Sequence, residues 1–212
     1  MARKTLSPKR LTEIKRTNIG RVIIFCEGKT EKHYFDYFAQ IIRKNKFTDI
    51  EVVLETAGGN AQAVLNCANT YMCTEENNRA FSTYGKYLVY DCDAPPDIQI
   101  VIRCSTDYEL LVSNFLFETW LLMHFEEVDC KLTKRQTYTR LSDYLRSSYK
   151  KGHKGKTREI IQNGDIEKAI ENARRLEEMY TSEGKSIFSN IEEMNPYTGV
   201  YTLVEQFMAE IS

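Results

Sequence analysis

Three carboxylates stand where buried strands should end: Glu27 closes the run VIIFCE, and Asp91 and Asp93 sit in KYLVYDCD. In an open parallel sheet, ligands collect outside the carboxyl ends of the strands. Side chains two apart on a strand share a face, so Asp91 and Asp93 point one way and Cys92 the other. If the two strands are neighbours, the three acids converge. Burial and mutual repulsion would then raise their pKa values. A hard divalent cation relieves both effects, and Mg2+ suits one or two direct carboxylates together with waters and substrate phosphates. Such a site fits phosphodiester cleavage, in which the ion polarises phosphoryl oxygens and generates hydroxide, with room for a second ion about 4 Å away. A plainer alternative makes Glu27 a cap for the next helix and the aspartates turn formers ahead of Pro95-Pro96. An isolated Asp-x-Asp is a weak signal, but its pairing with a strand-end CEGKTE favours the metal reading.

The elements that must position these acids follow from periodicity. Residues 21 to 27 are β-branched and apolar and predict a strand buried on both faces. Thr30 is placed to cap a helix carrying Tyr34, Phe38, Ile41 and Ile42 on one side. DIEVVLETAGG predicts a second strand ended by glycines. Asn60 then caps a helix with Val64, Cys67, Ala68, Tyr71 and Met72 inward. After a polar stretch at 74 to 86, KYLVYDCD predicts a third strand, closed by the two prolines. YELLVSN predicts a fourth, followed by an apolar helix over 115 to 125. Strand–helix alternation implies an α/β fold with a mostly parallel sheet and helices on both faces. Helices expected near 133 to 150, 165 to 181 and 198 to 211 make the last third helical. The domain reading is a basic flexible arm over 1–20, an α/β domain over 21–130, and a helical region over 131–212 packed on it.

The net charge of −1 hides an uneven distribution. Residues 1 to 21 carry seven Lys and Arg against one acid, and residues 131 to 158 carry ten against Asp143 alone. Two basic segments on an acidic body are either an electrostatic footprint for nucleic acid or a solvated tail and helix face. YKKGHKGKTR, with its glycines and close-set cations, reads as a mobile loop able to follow a phosphate backbone, placed beside the acidic site. Lys150, Lys151, Lys154 and Lys156 are its candidate phosphate contacts. Lys29 and Lys32, near a helix start, are either further phosphate contacts or simply solvated, and His153 lies in the same basic loop.

Glu118 is surrounded by Phe117, Trp120, Leu121 and Leu122. A lone acid there must be paired or metal-bound, because burying an unpaired carboxylate is costly. It is either a further metal ligand or the partner of a nearby tyrosine or backbone group. His124 follows the same apolar run and reads as a satisfied core histidine. The six cysteines lack Cys-x-x-Cys spacing and read as small buried hydrophobes. FLFETWLLMHF is too short to span a bilayer, and the N-terminus has no apolar signal region, so a cytoplasmic protein with no membrane contact is expected. The absence of a Gly-x-x-x-x-Gly-Lys loop excludes Walker-type ATP binding by this chain.

EGKTE after an apolar strand, with a later strand ending in Asp-x-Asp, resembles the Toprim domain of topoisomerases, primases, recombination proteins and OLD-type nucleases. More closely, IIFCEGKTEKHYF, LVYDCD, SNFLFETWLLMHF, AIENARRLE and NPYTGVYTLVEQF together resemble the RloB family, over residues 22 to about 208. One departure is Phe115-Leu116, where a proline is expected. The resemblance implies a Toprim-like sheet, a catalytic Glu at Glu27 and an Mg2+-binding pair at Asp91 and Asp93, with Mn2+ as a substitute ion. By likeness to OLD-type nucleases, Glu118 is an additional metal-binding acid. The implied function is a Mg2+-dependent nuclease in anti-phage defence by abortive infection, with an AAA-type ATPase as partner. The alternative is a nucleic-acid-binding or regulatory subunit with a vestigial Toprim site. Strand passage or primase chemistry needs more apparatus than 212 residues hold. Whether the target is DNA, mRNA or tRNA stays open, as does self-association.

Overall fold

Val22 to Cys26 are buried without a break, so strand β1 (Arg21–Cys26) is covered on both faces, the condition under which a strand reads as a continuous apolar run. The computed structural model describes residues 20–43, 49–54, 59–92 and 98–211. The arm expected over residues 1–20 therefore lies almost wholly outside the described residues, as do Asp93, Pro95 and Pro96. β1 pairs in parallel with β2 (Asp49–Leu54) on one side and β3 (Gly85–Asp91) on the other. β4 (Glu109–Asn114) pairs in parallel with β3, and a two-residue β5 (Tyr197–Thr198) pairs antiparallel with β4. The sheet order is β2-β1-β3-β4-β5. The fold is α/β, a five-stranded mostly parallel sheet flanked by helices, with further helices at the C-terminus.

The crossover helices are α1 (Lys29–Ile42), α2 (Ala61–Cys73), α3 (Glu75–Ala80) and α4 (Ile98–Cys104), and α5 (Phe117–Met123) follows β4. The Asn60 side chain accepts from the Ala63 N–H and caps α2 as expected. Thr30 does not cap α1. Gly28 holds that position, and the Thr30 hydroxyl, fully buried, instead accepts from the Gly152 N–H at 2.8 Å. Ile41 faces solvent, since the buried face of α1 runs through Tyr34, Phe35, Phe38, Ala39 and Ile42.

The last third contains α6 (Lys134–Tyr144), α7 (Lys154–Asn163), α8 (Ile166–Ser182), α9 (Ile187–Asn190) and α10 (Tyr201–Ile211). α7 and α10 pack on α1, and α8 packs on both α5 and α10. The mobile loop expected at YKKGHKGKTR is a correction: from Lys154 onward it is helix, with the His153 ring accepting from the Lys156 N–H at 3.3 Å. A ring nitrogen at the N-cap position and the apolar inward face of Ile160 and Ile161 outweigh the two glycines. The cysteines are corrected in part. Only Cys26 and Cys92 are buried, while Cys73, Cys104 and Cys130 are exposed. Among the described residues, no helix is long and apolar enough to cross a membrane.

Candidate functional site

With β2 on one side of β1 and β3 on the other, the chain's crossovers diverge between β1 and β3. That divergence opens a crevice at the carboxyl edge of the sheet. Glu27 follows β1 and Asp91 ends β3, so both acids stand at its mouth. The Glu27 N–H donates to the Val89 carbonyl at 3.0 Å, extending the β1–β3 ladder by one residue. Its carboxylate returns across the gap to accept from the Asp91 N–H at 3.0 Å.

The Asp91 carboxylate is buried and held from two sides. One oxygen accepts from the Phe117 N–H at 2.6 Å, at the first residue of α5, and the other lies 3.4 Å from the Lys151 Nζ. The next residue of α5 is Glu118, fully buried. Its Oε1 accepts from the Tyr149 hydroxyl at 2.9 Å, while its Oε2 makes no hydrogen bond and has Lys151 Nζ at 4.0 Å. Both readings of Glu118 left open by the sequence thus meet in one place: it has a tyrosine partner and it faces the acidic site.

Glu31 completes the group and was missed from the sequence. It lies in the first turn of α1, 1% exposed, with Oε2 unpartnered. Its side chain folds back over Gly28, where a Cβ would fall 2.5 Å from Oε2, so a side chain at that position would force the Glu31 carboxylate to shift. The available signal was the second acid of that motif, at the third helical position, where it reaches the strand end.

The electrostatics follow from this crowding. Burial raises Asp91 well above the usual carboxylate range; Glu31, Glu118 and Glu27 raise it further, and Lys151 opposes them. Burial likewise raises Glu31 to about 7, with Lys151 opposing and Glu118 and Glu27 adding to the rise. For the Lys151 ammonium, burial acts downward, but Asp91, Glu118 and Glu31 outweigh it and hold the ammonium above its ordinary range. Neighbouring acids stabilise its charged form while suffering from one another.

Of the residues predicted from sequence, Glu27, Asp91, Glu118 and Lys151 are brought together. Asp93 lies outside the described residues. Lys29, Lys150 and Lys154 are exposed. Lys156 turns away to pair with Glu159 at 2.7 Å and donates to the Ser147 hydroxyl. His124 is a buried core residue as expected, its Nε2 3.2 Å from the Tyr34 hydroxyl. Among the described residues, no three or more His, Cys, Asp or Glu side chains are spaced to hold a metal ion. The Lys151 ammonium lies 3.4 Å from Asp91 and 4.0 Å from Glu118. Beside the strand ends, a cavity of about 570 Å³ is lined by Cys92, Asn114, Phe115, Leu132, Lys131 and Lys134 among others.

A parallel sheet with clustered acids at its carboxyl edge defines the chain as an α/β protein whose site is anionic and bridged by one lysine. A family model described as RloB-like protein matches residues 22–207, and the chain belongs to that family. Comparisons with curated proteins and with solved structures give no match.

Proposed function

We propose that this RloB-like protein is a Toprim-type, metal-dependent nuclease that cleaves phosphodiester bonds of nucleic acid in anti-phage defence, working with an AAA-type ATPase. The observation that carries the chemical part is the convergence of Glu27, Glu31, Asp91 and Glu118 on one crevice with a single lysine against them. Four carboxylates in that space are under-neutralised, and their all-oxygen donor set suits a hard cation. The Oε2 atoms of Glu31 and Glu118, which accept no hydrogen bond, are further oxygen donors in the cluster. Glu27, Asp91 and Glu118 would hold it, joined by Asp93. When bound, Mg2+ or Mn2+ would polarise the phosphoryl group and supply hydroxide near neutral pH. The chain's own part is positional: the Phe117 N–H fixes one Asp91 oxygen, the Tyr149 hydroxyl fixes Glu118, and Lys151 offers positive charge to a phosphate.

The decisive assay incubates the purified protein with labelled DNA, total RNA and tRNA in Mg2+, Mn2+ or EDTA. Cleavage is expected with either ion and not with EDTA. Glu27→Gln and Asp91→Asn are expected to abolish it without loss of fold, because each removes charge from a repelling cluster. Full cleavage by both variants rejects the assignment. A second reading, a binding or regulatory subunit, is favoured by the Lys151 ammonium standing between two of the acids. It predicts retention of nucleic acid with no ion-dependent cleavage.

A further inference from the structure

Lys151 is delivered by a short strap, residues 146 to 152, whose two ends are both fixed. At its start Arg146 adopts a left-handed φ of 49°, unusual for a residue with a side chain. At its end Gly152 has φ 73°, and a Cβ there would lie 3.3 Å from the Lys29 Cβ. Between them the strap is tied down at four points. The Tyr149 N–H donates to the Ser142 hydroxyl at 2.9 Å, and the Tyr149 hydroxyl reaches Glu118. Ser147 accepts from Lys156, and the Gly152 N–H is received by the buried Thr30 hydroxyl. Lys150, one residue earlier, is exposed. The Lys151 side chain is 35% exposed, yet its ammonium meets Asp91 at 3.4 Å and Glu118 at 4.0 Å.

Resting on the metal-site reading above, we infer that Lys151 is a resident counter-cation that holds the place between Asp91 and Glu118 and must be displaced for a divalent ion to bind there. One ammonium faces four carboxyl groups, so oxygen donors remain for a doubly charged ion. It must, however, exchange an ion pair already formed. A substrate phosphate changes that balance in two ways: it attracts the ammonium outward, and it adds oxygen ligands that Mg2+ otherwise takes from water. The strap therefore makes ion binding depend on a polyanion, which keeps the site idle in its absence.

The test measures Mn2+ binding to the full chain without nucleic acid, by calorimetry and paramagnetic resonance. Lys151→Met is expected to tighten Mn2+ binding about tenfold or more, a change worth about 1.4 kcal/mol. Lys151→Arg, which keeps the charge, and Lys150→Met, on the exposed neighbour, are expected to stay near the parent. Thr30→Val removes the acceptor for the Gly152 N–H and keeps the lysine; it should loosen the strap and tighten Mn2+ binding by a smaller factor. It also serves if Lys151→Met fails to fold. Measurable binding that is equal in the parent, Lys151→Met and Thr30→Val overturns the lysine's role and leaves the metal site standing. No Mn2+ binding in any of them rejects the metal reading and this inference together.

Discussion

Helix α5 carries a buried titratable group at each end, and the two ends could hardly differ more. At its start Glu118 meets Tyr149 and Lys151, with Asp91 bound to the preceding N–H. At its end His124 has only the Tyr34 hydroxyl and the edge-on rings of Tyr34 and Trp120, with Nδ1 unpartnered. Burial lowers the His124 pKa to about 3, with Asp165 acting weakly the other way, so this ring is neutral at physiological pH. Both residues are equally hidden from solvent. What separates the candidate site from a packed polar core residue here is the charge of the neighbours: Glu118 has Lys151 and Asp91 close by, whereas His124 is packed mainly against aromatic rings.

The largest expected effect tests that distinction on one helix. Glu118→Gln should lower ion-dependent cleavage roughly a hundredfold or more, because charge stabilisation by a bound metal is worth several kcal/mol. His124→Gln, assayed at a temperature where it is folded, should cleave like the parent. A folded His124→Gln protein as inactive as Glu118→Gln would erase the contrast.

The same contrast shows what the sequence could reveal. The acids at strand ends were legible because Glu27 and Asp91 each interrupt a long apolar run, and His124 because it follows one. Glu31 was not, since an acid in a first helical turn is ordinary and only the fold shows it bent back over Gly28. Helix α4 went unread because IQIVIRC is β-branched and Ile-rich; the need for a crossover between parallel β3 and β4 overrides that propensity. β5 is two residues long and exists only through its pairing with Ser113 and Asn114. Lys151 was read as one cation among several, because its inward turn depends on ties to Ser142, Glu118 and Thr30 that are distant in sequence.

A second, smaller effect separates the two ends by pH in the metal-free protein. His124 has a folded pKa depressed to about 3, so its stabilising contribution is full above about pH 6.5 and is lost as pH falls towards 3. That loss is on the order of 5 kcal/mol at full extent. Glu31 has a folded pKa raised to about 7, so its sign is opposite: its contribution is full below about pH 4.5 and is lost as pH rises through 7. Between about pH 4.5 and 6.5 the two slopes oppose one another. Denaturant melts across pH 4 to 8 should show a shallower acid loss for His124→Gln and a steeper one for Glu31→Gln. Glu31→Gln should also be more stable than the parent at pH 8 in EDTA. If Glu31→Gln leaves the profile unchanged, Glu31 does not belong to the crowded end.

The smallest effect concerns cations outside the pocket, where binding rather than chemistry is at stake. Lys154 and Lys156 stand in the first turn of α7, which has no acid to match the helix dipole. Cations there are unfavourable for the helix itself, whereas an anion would be welcome. Lys156 is compensated by Glu159, but Lys150, on the Lys151 strap, and Lys154, just beyond it, are exposed. Each lysine that meets a phosphate contributes about one unit to the slope of log affinity against log salt. Replacing Lys150 and Lys154 with Gln should therefore lower that slope by up to about two and weaken DNA and RNA alike. Lys156→Gln should change the slope less, since that lysine already has an ionic partner. Cleavage at saturating substrate should persist in both variants, because none of these lysines pairs with Glu27, Glu31, Asp91 or Glu118. An unchanged slope in the Lys150/Lys154 variant would confine nucleic-acid contact to the crevice and leave the outer lysines as solvated surface.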